Sequence, residues 1–355
     1  MNVKDISFVI FIRKKNLDLL DDLDQNKIKV VVSRVAGIST ILRVIWEQTV
    51  LPFLLIKEKA VILFCPGNIA PIYSPVKTIQ WIGTIGPFFK EYYNGFNISE
   101  RISLHVNKYL MYLSARRSDI VIHESRFSQY LFYNKYKCSL RNSEVIHIGK
   151  DSSFYPVSNE KSNHINEKYK LNDPYILCVT KFLPYKNIDR LIEAFNKVTE
   201  IDNNIELVIV GKLFPQMKYS REIFRKIELL DLNDKITIID EIPRQDLLFF
   251  YSRCNFLIFT SLYESIGYIL MEAMSCGAAI CCSNVTAVPE ACKNAALYFD
   301  PYNTLDIAKK MKRIIEDDTF RKSLKMKSLK RVNELPDYEQ VTMKVNSIIR
   351  DIIKS

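Results

Sequence analysis

The chain has 355 residues, 48% hydrophobic and 25% charged, which is long for one core and comfortable for two. That composition excludes a disordered tail, a collagen-like rod and a polytopic membrane protein. A formal net charge of +10 calls for an anionic partner: nucleic acid, an acidic membrane surface or a phosphorylated substrate.

In the first half, strands fit Ser7–Ile12, Ile28–Val32, Val61–Cys65, Thr78–Trp81, Ile120–His123 and Val145–Ile148; helices fit Thr40–Leu55, Ser99–Ser114 and Ser125–Tyr133. Flanked by Lys4 and Asp5 on one side and Arg13, Lys14 and Lys15 on the other, the opening apolar run reads as a strand and not a secretory signal. The best apolar stretch elsewhere, Leu51 to Ile56, falls far short of the roughly 20 residues a bilayer demands. A polar stretch, Asp151 to Asp173, reads as a linker.

From Tyr175 the rhythm is clear. Strands at 175–180, Leu207–Val210, Ile236–Ile239, Phe256–Thr260 and Ala278–Cys282 alternate with helices at 188–199, 219–230, Gln245–Ser252 and Tyr268–Ser275, before a turn at Val288-Pro289-Glu290. Short apolar runs alternating with helical patterns mean parallel strands with crossover helices. The fold class is α/β: two Rossmann-like doubly wound domains facing a cleft, the first lacking its opening βα unit. The boundaries are 1–155, 156–330, and a C-terminal helical segment, 331–355, that could pack back on the first domain.

None of the nine glycines precedes Gly37, so no G-x-G-x-x-G and no P-loop is present. The eight cysteines lie mostly in apolar segments without a C-x-x-C pair, and the four histidines lack zinc spacing. Buried free thiols in a reducing cytosol follow. Between Lys309 and Arg331, ten Lys or Arg face three acids. This reads as a solvated helical face first and a membrane-surface attraction second; no nucleic-acid signature accompanies it.

Two loops share one logic. Lys181 and Lys186 flank the turn before a helix, where two ammonium groups can converge on an anion with help from the helix's positive end. After Thr260 come Ser261 to Gly267 and the helix carrying Glu272; Gly267 lets backbone approach a ligand, and free N–H groups suit a phosphate. Glu264 and Glu272 could each accept hydrogen bonds from hydroxyls. Two cations, helix N–H groups and two carboxylates describe a site for a nucleotide-diphosphate sugar.

At these residues the sequence resembles the family 4 retaining glycosyltransferases of the GT-B fold. The carrying motif is E-x7-E, the segment 264–277 ESIGYILMEAMSCG, supported by 184–195, by Val208 to Gly211, by Val288-Pro289-Glu290 and by Asn294 to Ala296. The run covers about Tyr175 to Asp317. Fainter landmarks in the first half are Ser125-x-Phe127-Ser128, Val145 to Gly149 and Cys65 to Asn68.

The resemblance implies roles by position. Lys181 and Lys186 would bind the donor diphosphate, Glu264 with Ser265, Ile266, Gly267 and Tyr268 the transferred sugar and phosphate, and Glu272 the ribose. Ile242 would flank the base. Thr180 stands where the family has glycine, and the family's sugar-touching histidine falls at Gln80-Trp81, which with Asn68 mark the acceptor side. The expected activity is hexosyl transfer with retention from a UDP- or GDP-sugar to a saccharide or lipid-linked acceptor, without a cofactor, in polysaccharide biosynthesis at the cytoplasmic face of the membrane. Asp22-x-Asp24 has the spacing of a metal-binding D-x-D but sits in an acidic helical stretch, so no metal is expected. Glu124 beside His123 reads as structural. Two rival classes share the pocket: an epimerase or small-sugar synthase, and a non-catalytic nucleotide-sugar-binding subunit.

Overall fold

The computed structural model describes residues 7–20, 28–33, 40–94, 96–137, 142–158, 167–171, 174–200 and 204–354; Asp22 and Asp24 lie outside them. The second half is one six-stranded parallel sheet built from β7 (Tyr175–Val179), β8 (Glu206–Val210), β9 (Ile236–Ile239), β10 (Phe256–Phe259), β11 (Ile280–Ser283) and β12 (Ala296–Phe299). The spatial order is β12-β11-β10-β7-β8-β9. The chain therefore winds outward one way through β9, returns to the centre, and winds the other way from β10. The strand order reverses between β7 and β10, and in open α/β sheets that crevice is where ligands bind.

All residues of β7, β8, β10 and β11 are buried, because helices cover both sheet faces. The helices of this half are α4 (Ile188–Thr199), α5 (Lys218–Leu229), α6 (Arg244–Arg253), α7 (Tyr268–Ser275), α8 (Val288–Cys292), α9 (Thr304–Glu316) and α10 (Asp318–Asn333). Helix α4 shows the pattern: Ile188, Leu191, Ile192, Phe195 and Val198 form one buried stripe, each large side chain contributing about 1.5–3 kcal/mol on burial. The turn expected at Val288-Pro289-Glu290 is instead the short helix α8. Pro289 sits in its first turn, where a missing N–H costs nothing.

In the first half, β3 (Ile62–Cys65), β4 (Lys77–Ile82), β5 (Ile120–His123) and β6 (Ser143–Val145) form a four-stranded parallel sheet, while β1 (Phe8–Arg13) and β2 (Ile28–Ser33) pair apart from it. Strand β1 runs into a 3-10 helix, Lys14–Leu20. Strand β6 ends three residues earlier than the apolar run predicts, and His147 beyond it turns its Nδ1 to the Glu124 carbonyl at 3.1 Å. The helices are α1 (Thr40–Lys57), α2 (Ile98–Arg117) and α3 (Arg126–Tyr136). Helix α2 starts on a reciprocal cap between Asn97 and Glu100. The last helix, α11 (Tyr338–Lys354), buries Ile348 and Ile352 against Ile79, Ile122 and Ile146 of the first half. Among the described residues, no helix is long and apolar enough to cross a membrane, and the described cysteines are buried free thiols.

Candidate functional site

The two loops singled out by sequence leave the sheet at β7 and β10, the strands flanking the reversal, and hydrogen bonds tie them together. Thr260 Oγ1 donates to the Lys186 carbonyl at 2.8 Å, and the Leu262 N–H to the Tyr185 carbonyl at 2.8 Å. Beside Thr180, Gly211 (φ +144°) has no room for a side chain, since a Cβ there would lie 1.8 Å from the Thr180 carbonyl oxygen.

This scaffold seats the Lys186 ammonium 2.6 Å from Glu264 Oε1. Both side chains are largely removed from water, at 9% and 16% exposure, and the ammonium lies 4.9 Å from the Tyr185 ring centroid and 5.6 Å from that of Phe259. Burial penalises the ammonium, but the Glu264 carboxylate and Tyr185 outweigh it and hold Lys186 above its ordinary range. Lys181 is exposed on the same loop, so the buried cation is Lys186. The first N–H groups of α4, expected to assist the lysines, are already taken: Ile188 and Asp189 donate to the Tyr219 hydroxyl at 2.9 and 3.3 Å. The start of α7 differs. Gly267 (φ +90°) precedes it without a side-chain cap; the Leu270 N–H donates to the Gly267 carbonyl at 3.0 Å, which leaves the N–H groups of Tyr268 and Ile269 for an anion.

Glu272, in α7, accepts from Arg244 at 2.9 Å and from the Tyr251 hydroxyl at 3.1 Å, and Arg244 also reaches Asp151 at 2.7 Å. Burial raises the Glu272 carboxyl above its usual range, against the pull of Arg244 and Tyr251. Glu272 lines a cavity of about 190 Å³ with Gly149, Lys150, Asp151, Arg244 and Met271. Ile242, two residues before Arg244, is half-buried and packs against the core beside it. The sequence offered no signal for Arg244; its partners lie 93 and 28 positions away in the chain.

The acceptor-side residues separate. Gln80 is wholly buried, with its amide nitrogen on the Asn68 and Met111 carbonyls and its oxygen accepting from Ser118. It is a core residue and does not face the cleft, because a buried amide must satisfy both ends. Asn68 is likewise engaged, its Oδ1 accepting from the Gly83 N–H at 2.8 Å. Trp81, by contrast, donates to Glu124 at 3.3 Å, a residue with no functional signal in the sequence. Its carboxylate also accepts from Ser265 at 2.9 Å and Tyr268 at 3.4 Å, across the domain boundary.

Further bonds fasten the same seam. Ser125 caps α3 by accepting from Ser128 N, and its hydroxyl donates to the Ser265 carbonyl at 2.6 Å. Glu290 accepts from the Arg126 and Phe127 N–H groups at 2.8 and 3.1 Å, so one lobe caps a helix of the other. Beside them, the Tyr263 ring lies between Phe89 (4.9 Å, 10°) and Tyr185 (4.6 Å, 20°). Phe89 belongs to the first lobe, and the other two rings immediately precede Glu264 and Lys186.

Residues 159–331 match the family model for glycosyl transferases group 1. The serotype-specific mannosyltransferase WbdA of Escherichia coli is 30% identical over 184 residues, 51% of this chain and 22% of the relative. O-antigen chain mannosyltransferase B of Escherichia coli is 26% identical over 198 residues, 55% of this chain and 51% of the relative. The chain thus matches about a fifth and about half of these relatives' lengths. Among solved structures, sucrose-phosphate synthase from Thermosynechococcus elongatus superposes with a TM-score of 0.74 at 19% identity, over 98% of this chain and 89% of that one. Anabaena HepE, in complex with UDP-glucose, gives 0.75 at 16% over 98% and 100%. The lipopolysaccharide glycosyltransferase WaaG gives 0.72 at 12% over 97% and 99%. These likenesses show the two-lobed GT-B fold, and residues 159–331 match the glycosyl transferases group 1 family.

Proposed function

We propose that the chain transfers a hexose-type sugar from a nucleotide-diphosphate sugar to a saccharide or lipid-linked acceptor, with retention, in cell-envelope polysaccharide biosynthesis. The observation that carries this reading is the buried Lys186–Glu264 pair at the sheet's reversal point, beside the uncapped start of α7. Lys186 and the first N–H groups of α7 stabilise the departing diphosphate, with Lys181 at the rim. Glu264 and the backbone of Ile266 to Tyr268 hold the transferred sugar. Glu272 holds the ribose, and Ile242 flanks the base. Preorganised cations and N–H groups of this kind each contribute on the order of 10²–10³ in turnover, which suits a reaction without a divalent ion. The net charge of +10 suits an acceptor at an anionic membrane surface on the cytoplasmic side. The 156–330 segment is the donor domain and 1–155 the acceptor domain.

The relatives named as mannosyltransferases place a mannosyl donor first in the test panel. The protein is incubated with GDP-mannose, UDP-glucose and other nucleotide sugars, with and without lipid-linked saccharide and chelator. The expected result is acceptor-dependent release of nucleoside diphosphate that persists in chelator. Conversion of the sugar without acceptor would refute transfer in favour of epimerisation, and loss of turnover in chelator would refute metal independence.

A further inference from the structure

Glu124 is 4% exposed, yet its carboxyl is shared among three groups from distant parts of the chain: Ser265, Trp81 and Tyr268. Ser265 and Tyr268 bracket Ile266 and Gly267, the backbone placed above at the sugar and phosphate. The fit is close, since a Cβ on Gly83 would lie 2.7 Å from Glu124 Oε1. Ser125, the next residue, grips the same loop through the Ser265 carbonyl. We propose that Glu124 is a positioning residue: its carboxyl, by accepting from Ser265 and Tyr268, docks the first lobe onto residues 264–268 and sets that loop for the donor when the cleft closes. The proposal rests on the donor-site reading above.

Three donors meet the carboxyl and favour its charge, while burial opposes it. The titratable groups facing it are the Glu264 carboxylate from the donor loop, the Tyr268 phenol from α7, and His147, whose Nδ1 meets the Glu124 carbonyl and whose Nε2 lies 3.4 Å from Glu290. His123 precedes it on β5 and is held neutral by burial. Burial foremost, with Glu264, raises the carboxyl to about 7, against the three hydrogen bonds that favour its charged form. Parting of the lobes would return the same group to water and towards the ordinary carboxyl value of 4.5. Closure therefore takes up a proton, and the closed form loses ground as pH rises from 4.5 through 7. On these values the closed-to-open ratio falls about tenfold between pH 6 and pH 8.

The test is hydrogen exchange of amides 264–268, normalised to intrinsic rates, at pH 6 and pH 8 in the wild type, Glu124→Gln and Trp81→Phe, alongside calorimetric titration with UDP-glucose and GDP-mannose. Wild-type protection should fall about tenfold over this range. Glu124→Gln, a permanently neutral isostere, should show the same protection at both values. Trp81→Phe strips a donor from the charged form and should deepen the fall, and it carries the test where the glutamine variant fails to fold. Whichever nucleotide sugar binds should bind about tenfold more weakly at pH 8 in the wild type and equally in Glu124→Gln. Wild-type protection that ignores pH, or a glutamine variant that follows the wild-type profile, overturns the proposal. Protection that behaves as expected with no nucleotide sugar bound at either pH upholds the docking role and overturns the donor-site reading.

Discussion

Replacing Lys186 with methionine keeps the volume of the side chain and strips its charge, so it isolates what the ammonium does. At 2.6 Å from Glu264 and an effective dielectric of about 20, two unit charges attract by about 6 kcal/mol. Desolvation of both groups offsets part of that attraction. Removing one partner abolishes the attraction while leaving the other charge buried, at a cost of about 3–5 kcal/mol. In a domain of this size such a loss lowers the melting temperature by about 6–20 °C. The double variant Lys186→Met, Glu264→Gln buries no unpaired charge and should recover most of that stability. It still lacks the cation proposed to face the diphosphate. Scanning calorimetry and titration with UDP and GDP separate the two roles: the single variant should melt early and bind weakly, the double variant should melt near the wild type and still bind weakly. A single variant melting within about 2 °C of the wild type would refute the electrostatic reasoning. Wild-type affinity in the double variant would remove Lys186 from the site.

Three further outcomes follow from buried groups near the same seam. His123 is wholly buried and pushed down to about 4 from 6.5, so the unfolded chain binds its proton first. Its contribution is complete above about pH 6.5 and about 3 kcal/mol is lost as pH falls to 4; His123→Phe should flatten that acid limb in urea titrations at stepped pH. Gly267→Ala puts a side chain at φ +90° with its Cβ 2.9 Å from Leu270 Cδ1, which should cost about 1–2 kcal/mol and weaken nucleotide binding; an unchanged melt and affinity would count against the cradle. The Tyr263 hydroxyl is buried without a hydrogen-bond partner among the described residues, so Tyr263→Phe should raise stability by about 1 kcal/mol, and a clear loss would show that the hydroxyl has a partner.

The second lobe is legible because its four central strands are buried on both faces and read as unbroken apolar runs, and the 236–239 strand and the 188–199 and 268–275 helices sit where the pattern puts them. Glu264 and Glu272 stand out in the sequence because both belong to one contiguous motif. What pattern could not supply was pairing. Lys186 was expected beside Lys181 and instead meets Glu264, 78 positions on, because the reversal of strand order brings the loops after β7 and β10 together. Gln80 was placed at the acceptor side, but a glutamine on a central strand can as readily turn inward to tie carbonyls, and here it does. Glu124 carries no sequence signal, because its partners lie far from it in the chain and no local spacing announces them. The first lobe was less legible throughout, since β1 and β2 are only partly covered and pair outside the main sheet.

The stack of Phe89, Tyr263 and Tyr185 has a bearing on chimeric enzymes. Recombinants that exchange whole lobes between homologues commonly cut in a linker and treat each half as autonomous. Here one aromatic plate of the N-terminal half ends a stack made by two plates of the other, each of those two adjoining a member of the ion pair. A crossover that respects the linker but mismatches residue 89 would disturb the neighbours of Lys186 and Glu264 without altering either. Grafts should take residues 85–93 and positions 185 and 263 from the same parent.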